Sequence, residues 1–391
     1  MRKDWEYKKL GEVCEVVSGT TPKTNNTDFW GNGYYWITPA EINESTIYVD
    51  KTERQITDKA LAKTNLRLLP KGTVLLSSRA PIGKVAICDV DMYCNQGFKN
   101  CICSDKIVNK YLYYFFIDKN AYLNSLGRGA TFKEISKSIV ENISIHLPPK
   151  STQLAIVAEL DKLNEMIRLK KQQLEDYDQL AQSIFYEMFG DPILNEKGWE
   201  VKKLGEISTI ERGSGISKKD FCNSGLPCIH YGQIHTSFGA YTKEVLSYIP
   251  ENLLPKYKYA SRGDLIMAIT SEDVEGSCKS TTWLGNYDVV IGSDAAICHH
   301  SQDGIYLSYY TRTKAFYNEK AKYAKGFKVT HISTKEIASI PIPLPPLPLQ
   351  QQFAARIEAI EQQKQQVKDM IKDLETLLAS RMQYWFDFTP D

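Results

Sequence analysis

Long apolar stretches, paired cysteine motifs and phosphate-binding loops are all missing from this sequence, and each absence closes off a class of protein. The longest uninterrupted apolar run, Tyr111 to Ile117, is seven residues, far short of the roughly 20 that span a bilayer. The opening MRKDWEYKK carries no apolar core of a secretory signal, so a cytoplasmic protein without a membrane partner is expected. The nine cysteines include no C-x-x-C pair, and Cys101 and Cys103 are too close for a zinc knuckle; reduced thiols packed in cores are expected. There is no G-x-G-x-x-G, no Walker A loop and no G-x-S-x-G elbow. The N/D-P-P-Y/F turn that grips a target amine is also missing, because the two Pro-Pro pairs follow Leu147 and Leu344. No catalytic site and no bound metal or cofactor is therefore expected on this chain.

Charge is nearly balanced at +1 over 391 residues. It is unevenly spread: residues 1–150 carry 21 Lys/Arg against 16 Asp/Glu, and residues 151–190 carry 4 against 7. Only the first segment is distinctly basic, which is weak support for an anionic partner. Glu6/Lys8 and Glu200/Lys202 have the E-x-K spacing of one corner of a nuclease site, but no further acidic pair accompanies them. His299-His300 and Cys228/His230 supply two metal ligands each, and two isolated ligands are not a site.

What is present is repetition. WEYKKLGEV from Trp5 returns as WEVKKLGEI from Trp199, 194 residues later. Gly129-Ala-Thr-Phe-Lys-Glu-Ile-Ser136 is echoed by Gly326-Phe-Lys-Val-Thr-His-Ile-Ser333, and ISIHLPP from Ile143 by IPIPLPP from Ile340, both at 197. Between these anchors the halves diverge, so similar frames surround dissimilar middles.

Each half ends in a segment of strict 4-3 apolar spacing. Ile156, Leu160, Leu163, Ile167, Lys170, Leu174, Tyr177, Ala181, Ile184 and Met188 form the first seam. Phe353, Ile357, Ile360, Lys364, Val367, Ile371, Leu374, Leu378, Arg381 and Trp385 form the second, 197 residues on. A 3.5-residue period keeps one stripe facing a partner helix, the pattern of a coiled coil. Pro148-Pro149 and the run Pro341 to Pro348 stop the preceding strands and stiffen the approach to each helix. Lys170 and Lys364 interrupt the seams, as register-setting residues or as side chains that reach outward.

Short strands are expected at Thr73–Ser77, Lys84–Cys88, Ile143–Leu147, Leu265–Ile269, Asp288–Ile291 and Ser339–Leu344, with a short helix at Lys110–Leu126 and another at Ile305–Ala324. The fold class is α+β: a globular half over 1–150, a helix over 151–190, a second globular half over 191–349 and a second helix over 350–391, with a pseudo-twofold internal repeat. Matched polar loops bound the divergent middles, and their side chains suit phosphates and base edges. The candidates are Thr20, Lys23, Asn25, Arg79, Arg128 and Lys133 in the first half. Arg212, Lys218, Lys219, Lys325, Lys328 and His331 are their counterparts in the second.

This arrangement resembles the specificity (S) subunit of Type I restriction–modification systems. The resemblance spans essentially the whole chain and rests on WEYKKLGEVCEVVSGTTPK, its second copy WEVKKLGEISTIERGSG, and LPP followed by Gln153 or Gln350 at the start of a coiled-coil helix. It implies two target recognition domains on double-stranded DNA, each reading part of a split, asymmetric sequence, and two antiparallel helices between them. It also implies partners: two adenine methyltransferase subunits using S-adenosylmethionine, and motor-nuclease restriction subunits using ATP and Mg. Related Type IIB and IIG systems use similar recognition domains. From the residues alone a second reading stands beside it, a coiled-coil scaffold whose two globular halves bind two different proteins.

Overall fold

The computed structural model describes residues 5–43, 46–79, 81–129, 133–253, 256–324 and 330–387. The chain forms two compact units, Met1–Lys171 with Asp369–Asp391, and Gln172–Lys368. Both open on the same strand and short helix and build a five-stranded sheet of the same order, so the repeat in the sequence is a repeat of fold.

In unit 1 a five-stranded sheet runs in the order Cys14–Ser18, Lys99–Cys103, Val74–Leu76, Val85–Cys88, Tyr48–Val49. A smaller sheet runs Arg54–Ile56, Trp30–Ile37, Tyr93–Cys94. Side chains alternate across a strand, so Val74 and Leu76 join one core with Tyr111 and Leu112, and Leu75 joins another with Ile37 and Met92. Both faces are covered, which is why this strand is a continuous apolar run. Unit 2 repeats the plan. Its five-stranded sheet is Ser208–Arg212, Ala295–His300, Leu265–Ala268, Ser280–Trp283, Tyr241–Thr242. Leu265 and Met267 face one core, and Ile266 and Ala268 the other.

The repeated opening motif has a structural job. Glu6–Lys9 pairs antiparallel with Ser144–Leu147, and Glu200–Lys203 with Pro341–Leu344. The next turn begins with Leu10 and Leu204, both fully buried. Glu12 accepts from Lys9 N at 3.0 Å and Glu206 from Lys203 N at 2.8 Å, which closes that turn and accounts for the repeated Glu. Glu6 pairs with Lys8 at 3.1 Å and Glu200 with Lys202 at 3.2 Å, so the E-x-K pairs are exposed strand-edge ion pairs.

Gln153 and Gln350 are fully buried. Gln153 accepts from Val108 N at 2.7 Å and donates to Lys106 O and Pro148 O at 3.0 and 2.9 Å. Gln350 accepts from Asp303 N at 3.0 Å and donates to Gln302 Oε1 and Pro345 O at 2.9 and 2.8 Å. A buried amide is stable only when its donors and acceptor are met, and each glutamine meets them by tying the start of a long helix to its globular half.

All six expected strands form, each trimmed by one or two residues. The two expected helices do not run through. Lys110–Leu126 is divided into Asn109–Asp118 and Asn120–Leu126, with Lys119 at ψ 15° between them. Ile305–Ala324 is divided into Gly304–Tyr310 and Lys314–Ala321. There Thr311 and Thr313 donate side-chain bonds to Ser308 O and Tyr310 O at 2.8 and 2.7 Å, and Thr313 caps the next helix. Such local bonds compete with the helical ladder.

The long helices are Lys150–Phe189 and Leu347–Phe386. They pair antiparallel within each unit. In unit 1, Glu159 faces Arg381 and Trp385, and Lys171 faces Glu375 at 2.9 Å; Ile156 and Leu160 share a core with Phe386. In unit 2, Ala181, Phe185 and Phe189 share a core with Phe353, Ile357 and Ile360. Leu163, Ile167, Val367 and Ile371 are buried as well, whereas Leu174 is half-buried. Lys364 reaches Asp178 at 2.7 Å and Glu361 at 2.8 Å. Burial alone would lower its pKa; the two carboxylates outweigh that and hold it above the usual lysine value.

Candidate nucleic-acid interface

Four segments distant in sequence meet at one end of the sheets in unit 1. The chain leaving Ser18 bends so that Thr20 N donates to Cys94 O at 2.9 Å. Gly19 is obligatory there, since a Cβ would lie 1.8 Å from Asn95 O. The turn after Cys94 is held by Asn95 Oδ1, which accepts from Gly97 N at 2.9 Å. Gly97 O accepts from both Ser78 N and Ser78 Oγ, at 2.7 and 3.0 Å. Arg79 and Arg128 each form an antiparallel bridge with Glu134, and Arg128 and Glu134 exchange two backbone hydrogen bonds of 3.0 Å. Thus Thr20, Arg79, Arg128 and Lys133, separated by up to 113 residues, share one loop cluster.

Thr20 is half-buried and structurally occupied: its carbonyl accepts from Trp36 Nε1 at 3.1 Å and its hydroxyl donates to Asn65 O at 3.3 Å. Lys23 and Asn25 are exposed on the next turn, which Trp30 fixes by donating to Lys23 O at 3.2 Å. Arg128 and Lys133 are exposed, and Arg79 is half-buried beside Gly97. Glu134 pairs at 3.1 Å with Lys99, itself 7% exposed. The carboxylate therefore serves an internal lysine, and the cations around it still face solvent.

Unit 2 builds the same corner from other residues. Ser214 N donates to Ile291 O at 2.7 Å as Thr20 does to Cys94, and Ile269 N to Asp294 O at 3.0 Å as Ser78 does to Gly97. Gly213 again permits the approach, its would-be Cβ lying 2.2 Å from Gly292 O. The bridge of Arg79 with Glu134 becomes one of Thr270 with His331, whose Oγ1 and Nδ1 lie 3.3 Å apart. Arg212 is held by Ser293 O at 2.6 Å and Asp294 Oδ1 at 3.2 Å. Lys218 and Lys219 are exposed on the short turn Lys218–Asp220. Lys325 and Lys328 lie outside the described residues.

Beside this corner a cleft of about 910 Å³ opens, with Lys218 and Thr270 among its lining residues. Three further cations line it. Lys279 donates to His235 O at 2.7 Å, Arg312 to Ser280 O at 3.0 Å, and Lys320 to Glu275 O and Ser277 O at 2.8 and 2.5 Å. Burial lowers the pKa of all three. These partners are carbonyls, which satisfy hydrogen bonds without cancelling charge, while Glu272, Asp273 and Glu275 line the same cleft and give it mixed sign.

The remaining sequence candidates have ordinary partners. His299 Nδ1 lies 2.8 Å from Asp264 and Nε2 3.5 Å from Glu211; His300 Nδ1 lies 3.1 Å from Gln302 O. Cys228 Sγ lies 3.3 Å from Ser247 Oγ, and His230 accepts from Gly232 N at 3.1 Å. Sequence reasoning missed the turn Asn95-Gln96-Gly97 with its counterpart Gly292-Ser293-Asp294, and the wall cations Lys279 and Arg312. The Asn and Gly of the first turn mark a bend, but no repeat anchor lies next to it.

Residues 2–176 and 196–376 match the family described as Type I restriction modification DNA specificity domain. The type I restriction enzyme MjaIX specificity subunit of Methanocaldococcus jannaschii is 39% identical over 247 residues, 58% of this chain and 57% of that protein. This chain therefore spans just over half the length of that relative. The MjaVIII specificity subunit of the same organism is 26% identical over 96% of this chain and 92% of its own. A chain solved in a study of the complex assembly and conformational transition of the type I R-M system shares the fold, with a TM-score of 0.64 at 22% identity over 97% of this chain and 96% of that one. Among the described residues no helix is long and apolar enough to cross a membrane. Two matched domains on two repeats of one fold, each ending in half of a shared helix pair, make this chain a member of the Type I restriction–modification specificity-subunit family.

Proposed function

We propose that this chain reads a split, asymmetric sequence in duplex DNA, one half-site with each unit. We propose also that it scaffolds two adenine methyltransferase subunits and the restriction subunits of a Type I complex. The observation that carries the reading is the corner built twice on one frame with different side chains: Arg79, Gln96 and Glu134 in one copy, Thr270, Ser293 and His331 in the other. Two readers with one geometry and two chemistries address two different base sequences. Exposed Lys23, Arg128, Lys133, Lys218 and Lys219 supply phosphate contacts. S-adenosylmethionine, ATP and Mg belong to the partner subunits in this reading, and the chain itself performs no chemistry.

Mapping methylated adenines in cells that carry the complete system tests it. The expected motif is two half-sites of about three or four pairs centred about one helical turn apart, leaving roughly five to seven unread pairs. Arg128→Ala should weaken binding by about 1–3 kcal/mol and relax one position if Arg128 reads a base. A palindromic or continuous motif overturns the proposal. Absence of a salt-dependent shift with mixed genomic DNA would favour a protein-binding scaffold instead.

A further inference from the structure

We infer that Gln96 is a base-reading residue of unit 1, donating to and accepting from the major-groove edge of an adenine; this rests on the DNA-reading function proposed above. Gln96 is exposed at the apex of the turn between Tyr93–Cys94 and Lys99–Cys103. The turn is rigid, because Asn95 caps Gly97 N at 2.9 Å and Gly97 O accepts two bonds from Ser78. Gln96 thus stands on a platform fixed to the central sheet, between the Thr20–Asn25 loop and the Arg79–Glu134–Arg128 bridge.

Its side chain is oriented as well. The Thr21 hydroxyl donates to Gln96 Oε1. That occupies one lone pair of the amide oxygen and leaves the second, together with both Nε2 hydrogens, for a ligand. An amide holding one donor and one acceptor side by side matches adenine, whose N7 accepts and whose N6 donates in the major groove. The aligned position of unit 2 shows that the platform is used differently there. Ser293 replaces Gln96, and its backbone carbonyl is taken by Arg212 at 2.6 Å. The reading group of that copy has moved from the turn to the neighbouring loop, where the Asp294 carboxylate and the Ser293 carbonyl aim the Arg212 guanidinium. Corresponding corners therefore present an amide in unit 1 and a guanidinium in unit 2, and the half-sites should differ accordingly.

The test compares the methylated motif of cells carrying the complete system with wild-type chain, Gln96→Ala and Gln96→Glu. Melting of each full chain serves as the folding control. With Gln96→Ala, discrimination at one base pair of one half-site should fall on the order of 10- to 100-fold while the other half-site is unchanged. Gln96→Glu has the same shape but only accepts, so preference at that pair should turn toward cytosine, whose N4 donates. If both variants methylate the wild-type motif unaltered, Gln96 reads nothing. Loss of all methylation by both at unchanged melting also counts against it, since a reader of one pair relaxes or re-aims the motif rather than erasing it. Should Gln96→Ala fail to fold, the isosteric Gln96→Glu decides. A wild-type motif without two distinct half-sites would instead overturn the function on which this inference rests.

Discussion

Units 1 and 2 share a strand order, a buried glutamine hub and a glycine against the same turn, yet they differ wherever a side chain faces outward from the loop corner. Unit 2 also carries five of the six histidines, His230, His235, His299, His300 and His331, against His146 alone in unit 1. Frame residues repeat because they pack in the core; Lys23, Asn25, Gln96, Arg128 and Lys133 at the corner are exposed and are held to no such packing. The small sheets show the same split. Trp36 of unit 1, with Arg54 across from it, stands where unit 2 has Cys228 and Ser247. Arg54 stacks 3.6 Å over Trp30, an arrangement that stiffens the Lys23 loop; in unit 2 Ser247 Oγ instead donates to Cys228 O at 3.2 Å and accepts from Gln233 Nε2 at 3.0 Å.

The sharpest break in the symmetry should come from charging one seam at a time. Leu160→Asp in unit 1 and Ile357→Asp in unit 2 each place a carboxylate at a fully buried position. A loss of about 3–5 kcal/mol is expected. Hydrogen exchange should show the loss concentrated in the unit that holds the substitution. Equal acceleration in both units would mean that the two are one cooperative body. A smaller effect, about 2–4 kcal/mol, is expected from Gln153→Leu, which leaves Val108 N, Lys106 O and Pro148 O without partners. Gln350→Leu should cost less, because one of its three partners is the Gln302 side chain, which can turn to solvent. Denaturant melts of the two variants side by side settle the order.

Exchanging residues 1–147 for those of another family member should change only the half-site read by unit 1, as seen in the methylated motif. Removing one heptad from both long helices should shorten the unread gap or abolish binding while leaving the half-site bases as they were. Change in both halves after the exchange would contradict independent reading.

Acid should separate the units more gently. Burial, and then the Lys218 charge, lower the pKa of His230, and burial lowers that of His300. A folded-state pKa below the unfolded 6.5 contributes stability that is present above pH 6.5 and is lost as pH falls through the folded value. Between pH 7 and 5, amide protection factors around Ile229–Gln233, taken relative to the intrinsic exchange rate at each pH, should therefore fall. The corresponding turn of unit 1 begins at Thr38, which has no proton to gain there and should hold steady; a matching response in both would remove the histidines as the cause.

The frame was legible in the sequence because it is written twice. The strands at Val74–Leu76 and Leu265–Ala268 announce themselves as short apolar runs, and the 4-3 seams give helix pairing directly. Two helices were overextended, because apolar spacing cannot show that Thr311 and Thr313 turn their hydroxyls onto the backbone. At the corner, Arg128 and Lys133 lie in a loop that the repeat marks in the sequence, whereas no repeat anchor covers Arg79. Gln96, Asp294 and Lys279 were not legible there, since only the crossing of strands brings them beside those loops. Thr20 looks like a contact residue in the sequence, but its hydroxyl and carbonyl are spent on Asn65 and Trp36.

Because unit 1 is completed by Asp369–Asp391, the portion of the chain synthesised first is finished last. The Ile156–Leu160 seam stays open until Trp385 and Phe386 emerge, by which time every residue of unit 2 has left the ribosome. A chain cut short after unit 2 would carry one closed unit and one with a bare apolar seam, a target for proteases and chaperones.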